Sequence, residues 1–323
     1  MDILKVKNLT THYQTPFGDV IAVDDVSFNL RKGIALGLAG ESGCGKTTVA
    51  LSIMRILTYP GKILGGEILF KDVDVMKLSE AELRDLRWKG ISTVFQGAMA
   101  SLNPVFKVGR QIADPILIHE DVTKKEAYDR ANELLELVGI DASRANNYPW
   151  ELSGGMRQRV MVAMGLACNP EVIIADEPTT ALDVIVAHQV MELIKDLREK
   201  LDLSMILITH DISVIAQTCD ELAVMYAGKI VELAEVDAIF ESPLHPYTEA
   251  LISAFPSIAG ENRKLTSIRG NPPDLINPPK GCKFNPRCPF AQDICRTEEP
   301  QLEQVGDNRS VACHFWEEIL AKR

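Results

Sequence analysis

The chain has 323 residues, 46% of them hydrophobic and 24% charged, with a formal net charge of -11. That length supports one large domain, or one domain with an appendage, whose core needs no disulfide staples. The acidic balance excludes a broad nucleic-acid-binding surface, and no apolar run reaches the roughly 20 residues that span a bilayer. The opening segment, MDILKVKNLTTHY, has no apolar signal-peptide core, so the expectation is a cytoplasmic chain that meets a membrane only through a partner. Residues 3–9 and 20–30 read as strands, with turn signals at Gly18 and Gly33. The apolar run 34–39 leads into a glycine-rich loop and then the apolar segment 49–57, a strand–loop–helix pattern. Ser79 with Glu82, and Thr123 with Glu126, form capping boxes at two helix starts. The second helix sets Ala127, Ala131, Leu134, Leu135 and Val138 on one face, so residues 105–150 are predicted to be a helical insertion.

Further on, residues 172–175 (VIIA) and 205–208 (MILI) are candidate buried strands, with a helical pattern over 184–200 between them. Alternating strand and helix predicts an α/β fold with a mostly parallel sheet. The glycine-rich loop is not repeated, which implies one nucleotide domain. Beyond about residue 240, Pro256, Pro272, Pro273, Pro278 and Pro279 punctuate a stretch with few strand or helix signals, read as a small appended domain.

The loop from Gly40 to Thr47 reads GESGCGKT and fits G-x-x-x-x-G-K-[ST]. Gly40, Ser42, Gly43, Cys44 and Gly45 would wrap backbone N–H groups around phosphates at a helix N-terminus. Lys46 would reach the β- and γ-phosphates, the Thr47 hydroxyl would bind Mg²⁺, and Thr48 would add an α-phosphate contact. The plainer alternative is a chance glycine-rich turn. Cys44, at a helix N-terminus, is expected to have a lowered pKa and to give modest, ATP-blocked inhibition by thiol reagents; the alternative is a small residue that merely fits. In VIIADE, two carboxylates end a strand, where ligands of parallel sheets bind. Asp176 would hold Mg²⁺ and Glu177 would polarise the attacking water as general base, against the alternative of two solvated acids.

Of seven cysteines, Cys44, Cys168 and Cys219 are scattered, while Cys282, Cys288, Cys295 and Cys313 follow C-x5-C-x6-C-x17-C. Without an export signal such a cluster reads as metal-binding before disulfide-bonded. Structural zinc sites show tighter pairs, and four thiolates also hold iron–sulfur clusters, so both readings stand.

Ser153, Gly154 and Gly155 lie in ELSGGMRQRV, after the phosphate loop and before VIIADE. In that context LSGG resembles the signature of ABC ATPases. The resemblance extends, in order, to Gln96 in VFQG (the glutamine that touches Mg²⁺ and the attacking water), Ala181-Leu182-Asp183 (the D-loop), His210 in LITHD (the switch histidine on the γ-phosphate) and Tyr13 (the aromatic stacked on adenine). SLNPVFKVGRQI, IADEPTTALDV, SPLHPYTEALISAFP and GCKFNPRCPFAQDIC together resemble the dipeptide/oligopeptide importer ATPases, with departures at Trp150 and Ile34.

The resemblance implies a P-loop NTPase (RecA-like) core with an antiparallel β subdomain over residues 1–240, a helical subdomain at about 97–160, and a C-terminal extension over 241–323. It implies an ATPase that powers peptide uptake by ATP-driven closure of a nucleotide-domain dimer, each ATP lying between one subunit's phosphate loop and the other's LSGG. It implies two membrane-spanning permease subunits, a second related ATPase and an extracytoplasmic substrate-binding protein, at the cytoplasmic face of the cell membrane. It also implies a 4Fe–4S cluster on the four clustered cysteines, with zinc as the alternative. The branch includes importers of oligosaccharides and nickel, and the ATPase never touches the cargo. DNA-repair ABC ATPases are disfavoured by the short interval between the loop and LSGG, and a non-hydrolysing regulator by the presence of Glu177 and His210.

Overall fold

The computed structural model describes residues 1–95, 101–254 and 268–321. They form two compact units, Met1–Met76 with Ile208–Arg323, and Lys77–Leu207.

The first unit opens with β1 (Asp2–Thr15) and β2 (Gly18–Arg31), an antiparallel hairpin. Leu4, Val6, Leu9 and Thr11 of β1 are buried while Lys7 and Asn8 are exposed, the broken alternation of a sheet with one covered face. β3 (Ala35–Ala39) is buried at all five positions, as an interior parallel strand should be. α1 (Lys46–Ile53) follows the glycine-rich loop; β4 (Gly61–Phe70) and β5 (Val73–Asp74) then complete an antiparallel sheet in the order β2-β1-β4-β5.

In the second unit, α2 (Glu80–Lys89) starts at the Ser79 capping box, where Glu82 Oε2 accepts the Ser79 N–H at 2.8 Å. β6 (Ile91–Val94), α3 (Val108–His119) and α4 (Lys124–Leu137) follow. The Thr123 box is equally complete, and the expected face of Ala127, Ala131, Leu134, Leu135 and Val138 is buried, with α4 packed on α3. α5 (Gly154–Gly165), β7 (Val172–Asp176), α6 (Val184–Lys200) and β8 (Ser204–Ile208) complete the unit. Strands β8, β7 and β6 lie in that order, β6 and β7 parallel.

The chain then returns to the first unit through α7 (Ile212–Thr218), β9 (Glu221–Tyr226) and β10 (Lys229–Glu235). β9 runs parallel to β3 and antiparallel to β10. A Cβ at Gly37 of β3 would stand 2.6 Å from Ile215 Cγ2, so this residue lets α7 lie close on the strand. The described part of the proline-punctuated stretch, residues 268–279, holds no helix or strand, as expected. Around it lie α8 (Val236–Glu241), α9 (Pro246–Ser253), α10 (Asp293–Thr297), the hairpin of β11 (Glu303–Gly306) and β12 (Arg309–Val311), and α11 (Trp316–Ala321). β12 pairs with β10, so the order in this unit is β11-β12-β10-β9-β3.

A buried carboxylate ties this region together. Glu232 of β10, with no exposed surface, accepts the Leu244 and His245 N–H groups at 2.8 and 2.9 Å and an Arg309 N–H at 3.0 Å. Three charge-assisted partners satisfy the buried carboxylate and fix the start of α9 against β10.

Candidate functional site

The glycine-rich loop leaves β3 at Gly40 and enters α1 at Gly45. Both glycines have left-handed backbone, φ +150° and +107°. A Cβ at Gly40 would stand 2.2 Å from the Met225 carbonyl oxygen, and one at Gly45 2.1 Å from that of Ala22. The loop therefore closes tightly only because these residues lack side chains. Lys46 is buried, its Nζ donating to the Gly40 carbonyl at 2.7 Å and the Glu41 carbonyl at 3.1 Å. Ser42, Gly43 and Thr47 are exposed, and Thr48 is buried. A helix N-terminus with an ammonium centred in its loop is a site for a phosphorylated anion. Tyr13 of β1 stands beside it, its hydroxyl 3.4 Å from Thr48 Oγ1.

Cys44 corrects an expectation. The helix N-terminus and Lys46, with Nζ at 3.5 Å from Sγ, favour the thiolate, but burial outweighs them and pushes the thiol's pKa up. Cys44 is 5% exposed, a packed thiol rather than a reactive one.

Sequence reasoning overlooked Glu41, three residues before Cys44 in the same loop. Glu41 is held at its amide, its carbonyl and its carboxylate: its N–H donates to the Tyr247 hydroxyl at 2.9 Å, its C=O accepts from Lys46, and Arg287 donates to both carboxylate oxygens at 2.6 and 2.9 Å. Tyr247 belongs to HPYT and Arg287 lies between Cys282 and Cys288, segments that the sequence marked only as family traits. Tyr226, Tyr247 and Phe284 form a buried aromatic cluster beneath the pair, with ring centroids 4.6–5.4 Å apart.

His210 follows β8 in the first unit and is exposed. Its neighbour Thr209 donates its N–H to the Leu38 carbonyl of β3 at 3.4 Å, and Asp211 caps α7 through the Ser213 N–H at 2.9 Å. These bonds set the segment at the end of β3 that leads into the loop.

The second unit holds the two carboxylates and the LSGG segment. Asp176 ends β7 and is buried, 3% exposed. Glu177 has a left-handed backbone, φ +45°, and its Oε2 accepts the Thr180 hydroxyl at 2.8 Å. That bond fixes the orientation of the carboxylate. Ser153 is exposed and caps α5, its Oγ accepting the Met156 N–H at 3.3 Å. A Cβ at Gly155 would stand 2.4 Å from Val186 Cγ1, so this glycine lets α5 begin against α6, whereas one at Gly154 would meet Leu182 at an ordinary 3.4 Å. Gln96 lies outside the described residues.

Cys282, Cys288, Cys295 and Cys313 line one cavity with Phe284, Phe290 and Phe315. Burial pushes the Cys282 thiol up to about 12 and the Cys313 thiol up to about 11, and neighbouring cysteines add to both shifts. Among the described residues, no group of three or more His, Cys, Asp or Glu side chains is arranged to hold a metal ion. The four sulfurs share a cavity without closing on one ion.

The family model described as "ABC transporter" matches residues 23–180, and that described as "Oligopeptide/dipeptide transporter, C-terminal region" matches residues 231–295. The chain is 46% identical to the oligopeptide transport ATP-binding protein AppD of Bacillus subtilis, covering 99% of each chain. It is 43% identical to the dipeptide transport ATP-binding protein DppD of Escherichia coli, covering 98% of this chain and 97% of the relative. Among solved structures it resembles a dimeric post-hydrolysis state of the ATP-binding cassette MJ0796 bound to ADP and Pi, at 29% identity and a TM-score of 0.65, covering 72% of this chain and 98% of that one.

Proposed function

The chain belongs to the ABC transporter ATPases, in the branch that carries the oligopeptide/dipeptide transporter C-terminal region, and from that premise we propose how its residues power the uptake of dipeptides or oligopeptides. The observation that carries this reading is the loop shaped by Gly40 and Gly45, with Lys46 buried at its centre and α1 beginning at its end.

Gly40, Ser42, Gly43, Cys44 and Gly45 cradle the phosphates of ATP, and Lys46 pairs with the β- and γ-phosphates. Thr48 adds an α-phosphate contact, and Tyr13 stacks on adenine. Mg²⁺, when bound, neutralises charge on the β- and γ-phosphates; an exposed hydroxyl at Thr47 and a buried carboxylate at Asp176 are hard oxygen donors suited to it, with Gln96 as a further contact. Glu177, oriented by Thr180, takes a proton from the attacking water, and His210 contacts the γ-phosphate. Ser153, Gly154 and Gly155 donate to the γ-phosphate of the ATP held by a partner ATPase. Contacts that only ATP can make favour the closed pair over the open one.

The proposed division is an ATPase domain over residues 1–240, with a helical subdomain at about 97–160 that meets the membrane subunits, and an extension over 241–323; the two family models, over 23–180 and 231–295, support two such parts. The assembly comprises two permease subunits, a second related ATPase and an extracytoplasmic binding protein, with this chain on the cytoplasmic face. Cys282, Cys288, Cys295 and Cys313, which share one cavity, would hold a 4Fe–4S cluster serving as a structural clip, with zinc as the alternative. Iron with visible absorption in anaerobically purified protein supports the cluster; stoichiometric zinc without iron overturns it.

The test of the transport reading is uptake of labelled peptide by the importer reconstituted in vesicles. Glu177→Gln is expected to bind ATP but to lose hydrolysis and uptake by at least about 100-fold. Near-normal hydrolysis by that variant removes Glu177 from the base role, and the absence of ATP-dependent uptake by the native complex overturns the function.

A further inference from the structure

A carboxylate inside a loop that must receive a triphosphate is a liability. Glu41 stands one residue after Gly40, and its charge would repel the ligand unless cancelled. Arg287 cancels it through two parallel bonds of 2.6 and 2.9 Å; the Arg287 side chain is 5% exposed and that of Glu41 25%, so water screens the pair only in part. Arg287 is itself fixed: its Nε donates to the Arg269 carbonyl at 2.8 Å, an Nη donates to the Tyr226 hydroxyl at 3.3 Å, and the guanidinium lies 5.7 Å from the Tyr226 ring centroid. The Tyr247 hydroxyl engages the Glu41 amide from the same C-terminal region, and Tyr247 is completely buried.

We propose that Arg287 and Tyr247 are positioning residues for the phosphate loop, locking Glu41 and cancelling its charge so that the loop accepts ATP. This rests on the reading of that loop as the ATP site. It assigns the C-terminal region a share in nucleotide affinity and gives Glu41 its acceptable place in the loop. Neither residue touches the nucleotide; both act through Glu41.

The experiment measures KM and kcat for ATP in the assembled importer, with binding of a fluorescent ATP analogue to the same complex. Arg287→Ala leaves Glu41 charged and unpaired, so the KM is expected to rise about tenfold with kcat changing far less. The defect should shrink as salt is raised, since repulsion is screened. Adding Glu41→Gln to Arg287→Ala removes the repelling charge and should restore most of the affinity, a reversal that a merely structural role for Arg287 would not produce. Tyr247→Phe leaves the Glu41 amide without its acceptor and should raise the KM about threefold; it also serves as the test if Arg287→Ala fails to fold. An unchanged KM in Arg287→Ala, or no recovery in the double variant, overturns the charge role of Arg287, and an unchanged KM in Tyr247→Phe overturns that of Tyr247. Absence of saturable ATP turnover in the native complex instead overturns the reading of the loop itself.

Discussion

His245 shows how one residue ties the stability of the C-terminal region to pH. It is fully buried, its Nδ1 accepts the Tyr247 N–H at 3.0 Å, and burial pushes its pKa down to about 3. An unfolded histidine titrates near 6.5. Above that value both states are neutral and the buried ring costs nothing. Below it the unfolded chain takes up a proton that the folded chain refuses, so stability falls as pH drops from about 6.5 towards about 3, by up to about 1.4 kcal/mol per unit. Urea midpoints between pH 7 and pH 5 should show a shallower slope in His245→Asn than in the native chain; equal slopes would assign the acid sensitivity elsewhere. Cys44 carries a related lesson. A helix N-terminus lowers a thiol pKa, but position along the chain does not reveal the burial that overrides it here. Native protein should react with thiol reagents at Cys44 far more slowly than urea-unfolded protein, measured by mass spectrometry of the modified peptide.

At the scale of elements, local chemistry was readable where it was local. Both capping boxes form, α6 spans the predicted residues, and the apolar face of α4 is the buried one. These features depend on spacings within a few turns, which a sequence displays directly. The phosphate loop was legible for the same reason. The grip on Glu41 was not, because Arg287 lies 246 residues away in the chain and nothing near either residue names the other. The C-terminal elements also escaped notice: β12 has three residues and α10 has five, too few for a period to register. Thr123→Ala removes the cap of α4 and should cost about 1 kcal/mol, read as a lowered urea midpoint with ATP affinity unchanged. Glu232→Ala leaves Arg309 and two amides without their buried acceptor and should cost about 3 kcal/mol or more by the same measurement, whereas Glu232→Gln should cost less.

For the whole molecule, function depends on partners. Among the described residues no helix is long and apolar enough to cross a membrane; it is the kinship to peptide-importer ATP-binding subunits that implies membrane permease partners. Distance labels on the two ATPase subunits of the proposed assembly should report closure of the Glu177→Gln complex with ATP and none with ADP; equal closure with both would end the ATP-driven account. The C-terminal hairpin carries a separate consequence. β12 runs along β10, pairing Glu232 with Val311 and Leu233 with Ser310, and β11 lies outside it. Cutting the chain before Glu303 would strip that cover and leave a mostly apolar strand with unpaired N–H and C=O groups, a template on which another copy could add. Such a truncated protein is expected to form oligomers by light scattering; a Glu232→Gln version of the same truncation, which no longer buries a charge without Arg309, should still do so if the bared strand edge is the cause.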